Sequence, residues 1–215
     1  MCPKIRKILA SIPEERVSED LQRYKDAALT SGATDAKVIT TDQIIIDDRV
    51  RMKCLHPICR GYGTNLHCPP YVGDLDQMRR LVKQYKYALL IMLRVPSNEL
   101  AGPHVREKRT ATPSAMKLNE IVSKVESTAF YDGYHLATGF ATGCKGLWCP
   151  EEECSAIKPG QSCRHPLKAR AGMDAVGMDA YTMAARVGWD IYPCGEGANP
   201  EDLPHGTRLG IVLIH

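Results

Sequence analysis

The chain has 215 residues, a formal net charge of +3, and ordinary fractions of apolar (44%) and charged (25%) residues. A chain of this length buries roughly 70% of its unfolded surface, so it does not need disulfides or metals merely to stay folded. The small charge and the scarcity of aromatic residues argue against nucleic-acid binding, and no apolar run approaches the ~20 residues of a membrane span.

The first half of the chain predicts helices that alternate with β-rich runs. Residues 13–32 form an amphipathic helical pattern that ends at a glycine. Residues 36–40 and 43–47 are short β-rich runs, which indicate a hairpin. Residues 74–86 predict a second helix, with Asp74 as its N-cap.

The second half begins with a nearly continuous apolar run at residues 87–95, which predicts a strand buried on both faces. A polar surface loop is expected at residues 96–112. The remaining predicted elements are helices at 114–134 and 173–188 and strands at 135–143 and 208–215. Helices alternating with buried strands indicate an α/β or α+β fold, with a mixed central sheet flanked by helices.

The N-terminal residues and the cysteine count bear on the compartment. The N-terminus lacks the long apolar core and the cleavage site of a signal peptide, so we expect a cytoplasmic protein. Stable disulfides are rare in the cytoplasm, and the nine cysteines are an odd number. The cysteines are therefore better explained as metal ligands or reactive thiols than as disulfides.

No clean domain boundary is visible, which predicts a single domain over residues 1–215 with cysteine-rich insertions at 53–72 and 143–170. Both insertions contain the spacing C-x4-C-x8-C, and each places a proline directly after a cysteine. The cysteines are Cys54, Cys59 and Cys68 in the first insertion and Cys144, Cys149, Cys154 and Cys163 in the second. Packing does not explain such clustering in loop-like sequence, which therefore favours metal ligation.

The four thiols of the second insertion are a complete ligand set for one 4Fe–4S cluster. A C-x4-C step and a proline after a ligating cysteine both occur in iron–sulfur proteins, whereas structural zinc sites usually use close cysteine pairs. The pattern predicts one or two 4Fe–4S clusters. Zinc ligation and reactive thiols remain as alternatives.

The first insertion supplies only three cysteines, so a cluster there needs another ligand for its fourth iron. The candidates are Cys194, Cys2, the histidines His56 and His67, water or a substrate. An iron with an open position would act as a Lewis acid. With Cys194 as the fourth ligand, the protein would instead be a two-cluster electron carrier.

Cations near both insertions are candidates for tuning a cluster or binding an anion. Lys53 and Arg60 flank the first insertion. The cations after the second are Arg164, His165, Lys168 and Arg170. Positive charge stabilises a negatively charged cluster and raises its potential, and it also suits an anionic substrate or an acidic redox partner. The alternative is an ordinary surface, with these cations paired to Glu151–Glu153 or to solvent.

Two stretches together resemble a known family: CLHPICRGYGTNLHCPPY at 54–71, and GCKGLWCPEEECSAIKPGQSCRHPLKARAGMDAVGMD at 143–179. They resemble the predicted metal-binding proteins grouped as domain of unknown function family 2284, over most of residues 50–190. The resemblance implies a protein that binds iron–sulfur clusters and occurs mostly in anaerobes, with no settled reaction. Cys194, in IYPCGEG, departs from that pattern.

The cysteine pattern thus predicts an iron–sulfur protein, in one-electron transfer or as an accessory to an oxidoreductase, and the resemblance implies that it serves anaerobic redox metabolism. Its partner would be a redox protein or a small anionic molecule. A second hypothesis is an enzyme with an open cluster at the first insertion, acting in dehydration or sulfur transfer on a small anionic substrate. A third is a zinc-stabilised binding module without catalysis.

Overall fold

The apolar run at residues 87–95 forms an inner strand of a four-stranded sheet. In the computed structural model, which describes residues 5–103, 105 and 112–215, the strands are β1 (Asp35–Thr40), β2 (Tyr87–Val95), β3 (Thr138–Phe140) and β4 (Gly206–Leu213). Their order is β1-β2-β4-β3, and all three ladders are antiparallel. Leu90 of β2 lies opposite Lys37 of β1 and Ile211 of β4.

Helices cover both faces of this sheet. The helices within the described residues are α1 (Glu14–Thr30), α2 (Asp48–Met52), α3 (Leu75–Val82), α4 (Pro113–Tyr131), α5 (Lys145–Trp148) and α6 (Ala180–Arg186). On one face, α1 and α4 form a core that includes Leu118 and Ile91. On the other face, α3 and α6 form a core that includes Met78, Met183 and Leu90. Alternate residues of β2 enter opposite cores, which explains why this strand is apolar along nearly its whole length.

The structure confirms the mixed α and β class and most of the predicted elements. Asp74 caps α3 as predicted, since its side chain accepts the Gln77 N–H at 2.6 Å. The strand predicted at 135–143 is shorter and forms β3. The sheet expected to be mixed has antiparallel ladders, and the only parallel pairing among the described residues is an isolated bridge between Ala141 and Gly172.

The hairpin predicted from residues 36–40 and 43–47 is wrong. β1 is followed directly by a 3₁₀ turn at Thr41–Gln43. Ile46 pairs with Met178 through an isolated bridge instead of pairing with β1. The second run is rich in isoleucine because its side chains pack into the core that α3 and α6 form.

The helix predicted at 173–188 is wrong in extent. A 3₁₀ turn at Asp174–Val176 ends at Gly177, whose φ is 77°, and α6 begins only at Ala180. A Cβ at Gly177 would lie 2.5 Å from Leu75 Cδ2. Glycine is therefore needed here both for its left-handed conformation and for space, and it interrupts an otherwise helical pattern.

The loop predicted at 96–112 falls partly outside the described residues, which do not include 104 and 106–111. Its described part contains a 3₁₀ turn at Ser97–Glu99 and the buried side chain of Leu100. This part is therefore not wholly a surface loop. Among the residues that the structure describes, no helix is both long and apolar enough to cross a membrane.

A buried ionic network joins α1 to the end of α4. Asp20 and Asp132 are only 2% and 4% exposed, and Arg23 bridges their carboxylates at 2.5 and 2.7 Å. Tyr134 donates a hydrogen bond to Asp20 at 3.1 Å. Burial alone would raise the pKa of Asp20, but hydrogen bonds from Arg23 and Tyr134 outweigh burial and lower that pKa. The network therefore holds the Asp20 carboxylate in its ionised form.

Candidate metal centre

The first cysteine segment, residues 54–72, is a series of turns closed by backbone hydrogen bonds. The Cys59 N–H donates to the carbonyl of Cys54 at 3.0 Å, and the Gly63 N–H donates to the carbonyl of Pro69 at 2.7 Å. The thiols of this segment are thus carried on backbone turns, as the loop-like composition predicts.

Arg51, in the last turn of α2, anchors this segment at both of its ends. The Cys54 N–H donates to the Arg51 carbonyl at 3.0 Å. The Arg51 guanidinium donates to the carbonyls of Val72 at 3.2 Å and Gly73 at 3.1 Å, and also to that of Ala175. Val72 packs against the core formed by α3 and α6, so the first segment lies on that face of the sheet.

Gly61 makes room for one of the thiols in the first segment. A Cβ at Gly61 would lie 2.8 Å from the Cys68 Sγ, which is closer than real Cβ contacts allow. The Gly61 N–H also donates to the Cys59 Sγ at 3.5 Å. The glycine thus brings its backbone against two sulfur atoms at once.

The three thiols of the first segment differ in exposure but influence one another. Cys54 is buried, Cys68 is half-buried and Cys59 is exposed. Burial, followed by the nearby charges of Asp174 and Cys59, raises the pKa of the Cys54 thiol to about 11. Burial also raises the pKa of Cys68, against a hydrogen bond from Asn65 that lowers it. A cation bound here would reverse these shifts by favouring the thiolates.

The second cysteine segment, residues 142–171, is a loop that leaves the sheet after β3 and returns beside it. At its base, the Ala141 N–H donates to the carbonyl of Ala171 at 2.9 Å. The Met173 N–H donates in turn to the carbonyl of Ala141 at 3.2 Å. These two bonds hold the ends of the loop together at the sheet.

Asn119 of α4 positions the start of the second segment. Its side chain is buried and donates to the Gly143 carbonyl at 2.8 Å, while its oxygen accepts the Thr142 N–H at 3.2 Å. Cys144 follows directly, and α5 then carries the chain to Cys149. A core helix thus sets the position of the first thiol of this segment.

The thiols of the second segment line one cavity. They are Cys144, Cys149, Cys154 and Cys163. Asn65 from the first segment and Trp148 from α5 contribute to the same lining. Burial, followed by the proximity of Cys68 and then the other thiols of the segment, raises the pKa of Cys144 to about 12. The structure therefore brings together the four cysteines that the sequence grouped.

Two thiols of this cavity accept hydrogen bonds from nitrogen donors. The backbone N–H of His165 donates to the Cys163 Sγ at 3.3 Å. The Arg164 side chain donates to the Cys149 Sγ at 4.0 Å. Donors of this kind stabilise a sulfur that carries negative charge and tune a metal bound to it.

Asn65 connects the two cysteine segments, and sequence reasoning missed it. The side chain is fully buried and donates to the Gly61 carbonyl at 3.2 Å. Its oxygen accepts the His67 N–H at 3.0 Å and the Cys144 thiol at 3.6 Å. One asparagine in a glycine-rich loop has no periodic signal that would separate it from an ordinary turn residue.

Two of the predicted tuning cations are engaged in ion pairs. Arg164 lies 2.7 Å from the Glu152 carboxylate, as expected for an ordinary surface cation. Arg170 lies 2.5 Å from the Glu126 carboxylate of α4, where both side chains are largely buried. Arg170 therefore ties the end of the second segment to the helical core.

Of the other predicted cations, Lys168 and His165 lie next to an aromatic ring, and Lys53 and Arg60 are exposed to solvent. The Lys168 Nζ lies 5.1 Å from the centre of the Trp148 ring, and the His165 ring lies 6.3 Å from the same centre. Lys53 and Arg60 are exposed, and neither has an ion-pair partner within the described part of the chain. Exposed cations without an ion-pair partner in the described part of the chain thus lie beside both segments, Lys53 and Arg60 at the first and Lys168 at the second.

The candidates for a fourth ligand in the first segment lie in different environments. His56 is exposed, whereas His67 is half-buried and its Nδ1 has no hydrogen-bond partner among the described residues. Cys194 packs against the core formed by α1 and α4, on the other face of the sheet, and donates to the Tyr192 carbonyl at 3.3 Å. Cys2 lies outside the described residues.

The donor chemistry of the two segments suits a thiolate-bound metal. Seven thiols lie in two segments joined by Asn65, and sulfurs of both segments accept hydrogen bonds from nitrogen. Thiolates of this kind select zinc, copper(I) or iron–sulfur clusters. As the side chains stand, no three His, Cys, Asp or Glu residues within the described ranges are arranged to hold a single metal ion.

Comparison with known proteins gives one match. A family model described as "Predicted metal-binding protein (DUF2284)" matches residues 37–214, which include both cysteine segments. No curated protein and no solved structure matches the chain.

Proposed function

The chain belongs to the DUF2284 family of predicted metal-binding proteins, and we propose that its metal is iron, in one or two 4Fe–4S clusters. Its role is one-electron transfer, as a carrier or accessory subunit of an oxidoreductase in the anaerobic metabolism of the cytoplasm. The cavity lined by four thiols carries this proposal, since four thiolates complete the ligation of one such cluster. A bound cluster would supply the capacity to take up and release single electrons.

Ligand roles follow the two segments. In the second segment, the ligands are Cys144, Cys149, Cys154 and Cys163. Cys54, Cys59 and Cys68 would hold a second cluster in the first segment. We leave Cys194 out of this set because it packs on the other face of the sheet, so Cys2, a histidine, water or substrate takes the fourth position.

The surface of the first segment supports a protein as the redox partner. Ile58 and Tyr71 are 70% and 47% exposed, and Lys53 and Arg60 add positive charge close to Ile58 in the chain. Exposed apolar side chains next to cations favour an acidic partner protein. We place electron exchange with this partner at the exposed Cys59. A small anionic molecule bound by the same cations is the alternative.

An enzyme with an open cluster is the second candidate function. It is favoured by the presence of only three thiols in the first segment, one of which, Cys59, is exposed to substrates. Its reaction would be dehydration or sulfur transfer on a small anionic substrate. A zinc-stabilised binding module is the third, because thiolates also bind zinc.

Quantifying iron, acid-labile sulfide and zinc in anaerobically purified protein tests the cluster proposal. We expect a brown protein with broad absorbance near ~400 nm, and roughly four or eight iron atoms per chain with equal sulfide. Zinc in the absence of sulfide would overturn the proposal and leave the binding module.

Reversing the charges on the first segment tests whether the protein is an electron carrier or an enzyme. With an acidic plant-type ferredoxin as the electron donor, the double variant Lys53→Glu, Arg60→Glu should accept electrons several-fold more slowly at low salt. The double variant Arg80→Glu, Lys83→Glu, at the exposed C-terminal end of α3, is the matched control and should not change the rate. Equal rates in all three proteins, together with a cluster spectrum that shifts on adding small carboxylates, would favour the enzyme.

A further inference from the structure

The two tryptophans of the chain differ in how their indole N–H groups are satisfied. The N–H of Trp189 donates to the Asp35 carboxylate at 2.8 Å. The N–H of Trp148 is buried and has no hydrogen-bond partner in the part of the chain that the structure describes. A buried donor without a partner is unfavourable, and folded proteins rarely leave one in that state.

The position of Trp148 indicates where a partner would come from. It is the last residue of α5 and directly precedes Cys149. It also lines the cavity that holds the four thiols of the second segment. A group bound among those thiols would therefore lie beside the indole.

The ring of Trp148 is held by cationic and aromatic neighbours. The Lys168 Nζ lies over the ring, 5.1 Å from its centre. The His165 ring is tilted by 39° against it at 6.3 Å. These contacts occupy the π face and leave the in-plane N–H as the group that still needs an acceptor.

We propose that the Trp148 N–H donates a hydrogen bond to a sulfur atom of the metal group bound in this cavity. Through this hydrogen bond, Trp148 raises the reduction potential of that group. Hydrogen bonds to cluster sulfurs stabilise the more negative, reduced state, which moves the potential upward. This inference rests on the proposed cluster-binding function.

The test compares the anaerobically purified full chain with its Trp148→Phe and Trp189→Phe variants. Phenylalanine keeps an aromatic ring but removes the N–H, and Trp189→Phe is the matched control because its N–H already has a protein acceptor. We expect all three to hold the same iron and sulfide. In a redox titration followed by electron paramagnetic resonance, only Trp148→Phe should show a midpoint potential shifted to more negative values.

A second readout keeps the test decisive if Trp148→Phe loads poorly. The Trp189→Phe variant retains Trp148 as its single tryptophan, so ultraviolet resonance Raman reports that indole alone. Loading with iron and sulfide should convert its N–H from unbonded to hydrogen-bonded.

Two results would overturn the inference. One is an unchanged potential in loaded Trp148→Phe, and the other is an indole N–H that stays unbonded on loading. Wild-type protein without iron and sulfide would instead overturn the proposed function itself, so the two failures are distinguishable.

Discussion

The first and second cysteine segments repeat one spacing, but their thiols lie in different surroundings. In the second segment, four cysteines line a single cavity together with Trp148. In the first, Cys54 is buried, Cys59 is exposed, and no fourth cysteine lies within the segment. The second segment thus gathers four half-buried thiols around one cavity, whereas the first combines a buried thiol with one that opens to solvent.

This difference shows which features of the two sites depend on cysteine spacing and which depend on neighbouring residues. The C-x4-C-x8-C spacing identifies which thiols belong together. Other residues set the space around each group of thiols. Gly61 packs against Cys68, and Asn119 binds the carbonyl of Gly143, directly before Cys144. Similar cysteine patterns can therefore hold metals with different access to solvent and partners.

The largest expected effect is a loss of iron when one cysteine ligand is removed from either site, and it distinguishes the two sites. Cys149→Ser should abolish the cluster of the second segment, since a serine hydroxyl is a poor replacement for a thiolate. Cys59→Ser should affect only the first. Iron and sulfide per chain, measured after anaerobic purification, should fall by about half in each variant if both clusters are present.

Cys194→Ser is the control for this pair and should retain all of its iron. If Cys194→Ser instead lost the iron of the first segment, this cysteine would be its fourth ligand. The first site would then be closed, and the contrast between the two segments would disappear.

The next effect tests the space that Gly61 provides. Gly61→Ala would place a Cβ 2.8 Å from the Cys68 Sγ, which should cost about 1–3 kcal/mol of folding free energy. We expect loss of metal from the first segment with the second left intact. Gly197→Ala is the control because nothing lies within 4 Å of its Cβ position. Chemical unfolding and iron content would both be measured, and full iron content in Gly61→Ala would contradict the expectation.

A smaller effect on metal content, but one that reaches both segments, should follow from changing Asn65. Asn65→Ala leaves the Gly61 carbonyl and the His67 N–H without their side-chain partner, which should cost about 1–3 kcal/mol. We expect reduced iron retention at both sites under a chelator challenge. The exposed Asn199→Ala is the control. If only one site lost iron faster, Asn65 would not couple the two segments.

The smallest effect concerns the scaffold rather than the thiols. The pKa of Asp20 is lowered in the fold, so its ionised form contributes stability above the unfolded pKa of about 4. That contribution should be lost as pH falls below about 4 towards the folded pKa. Thermal unfolding between pH 6 and 3 should show this acid-side loss in wild type and a shallower one in Asp20→Asn. Equal slopes would mean that Asp20 does not control acid stability.

Much of the fold could be predicted because its signals are local and repeated. The apolar run of β2, the amphipathic period of α1 and the cap at Asp74 each depend on neighbouring residues. The prediction of one helix at 173–188 was wrong because the close packing of Gly177 against Leu75, which is distant in sequence, requires a glycine that interrupts the helix. The predicted hairpin failed for a similar reason, as its second run packs elsewhere.

The candidate site was predictable only in its sulfur atoms. Cysteine clustering and spacing grouped Cys144 with the three that follow it, and the structure places all four at one cavity. The roles of Asn65 and Trp148 depend on which polar atoms are buried and what they contact. Such contacts form across the fold and leave no pattern along the chain.

The backbone hydrogen bonds of Ala141 with Ala171 and Met173 also bear on how the protein matures. They close the second segment at its base, while two apolar cores stabilise the sheet independently of the thiols. The scaffold can therefore fold directly after synthesis. The entropy cost of bringing the ends of the second segment together is then offset by the sheet and not by a bound metal. The metal that the family is predicted to bind would then enter late and locally, in a folded apoprotein rather than in a nascent chain.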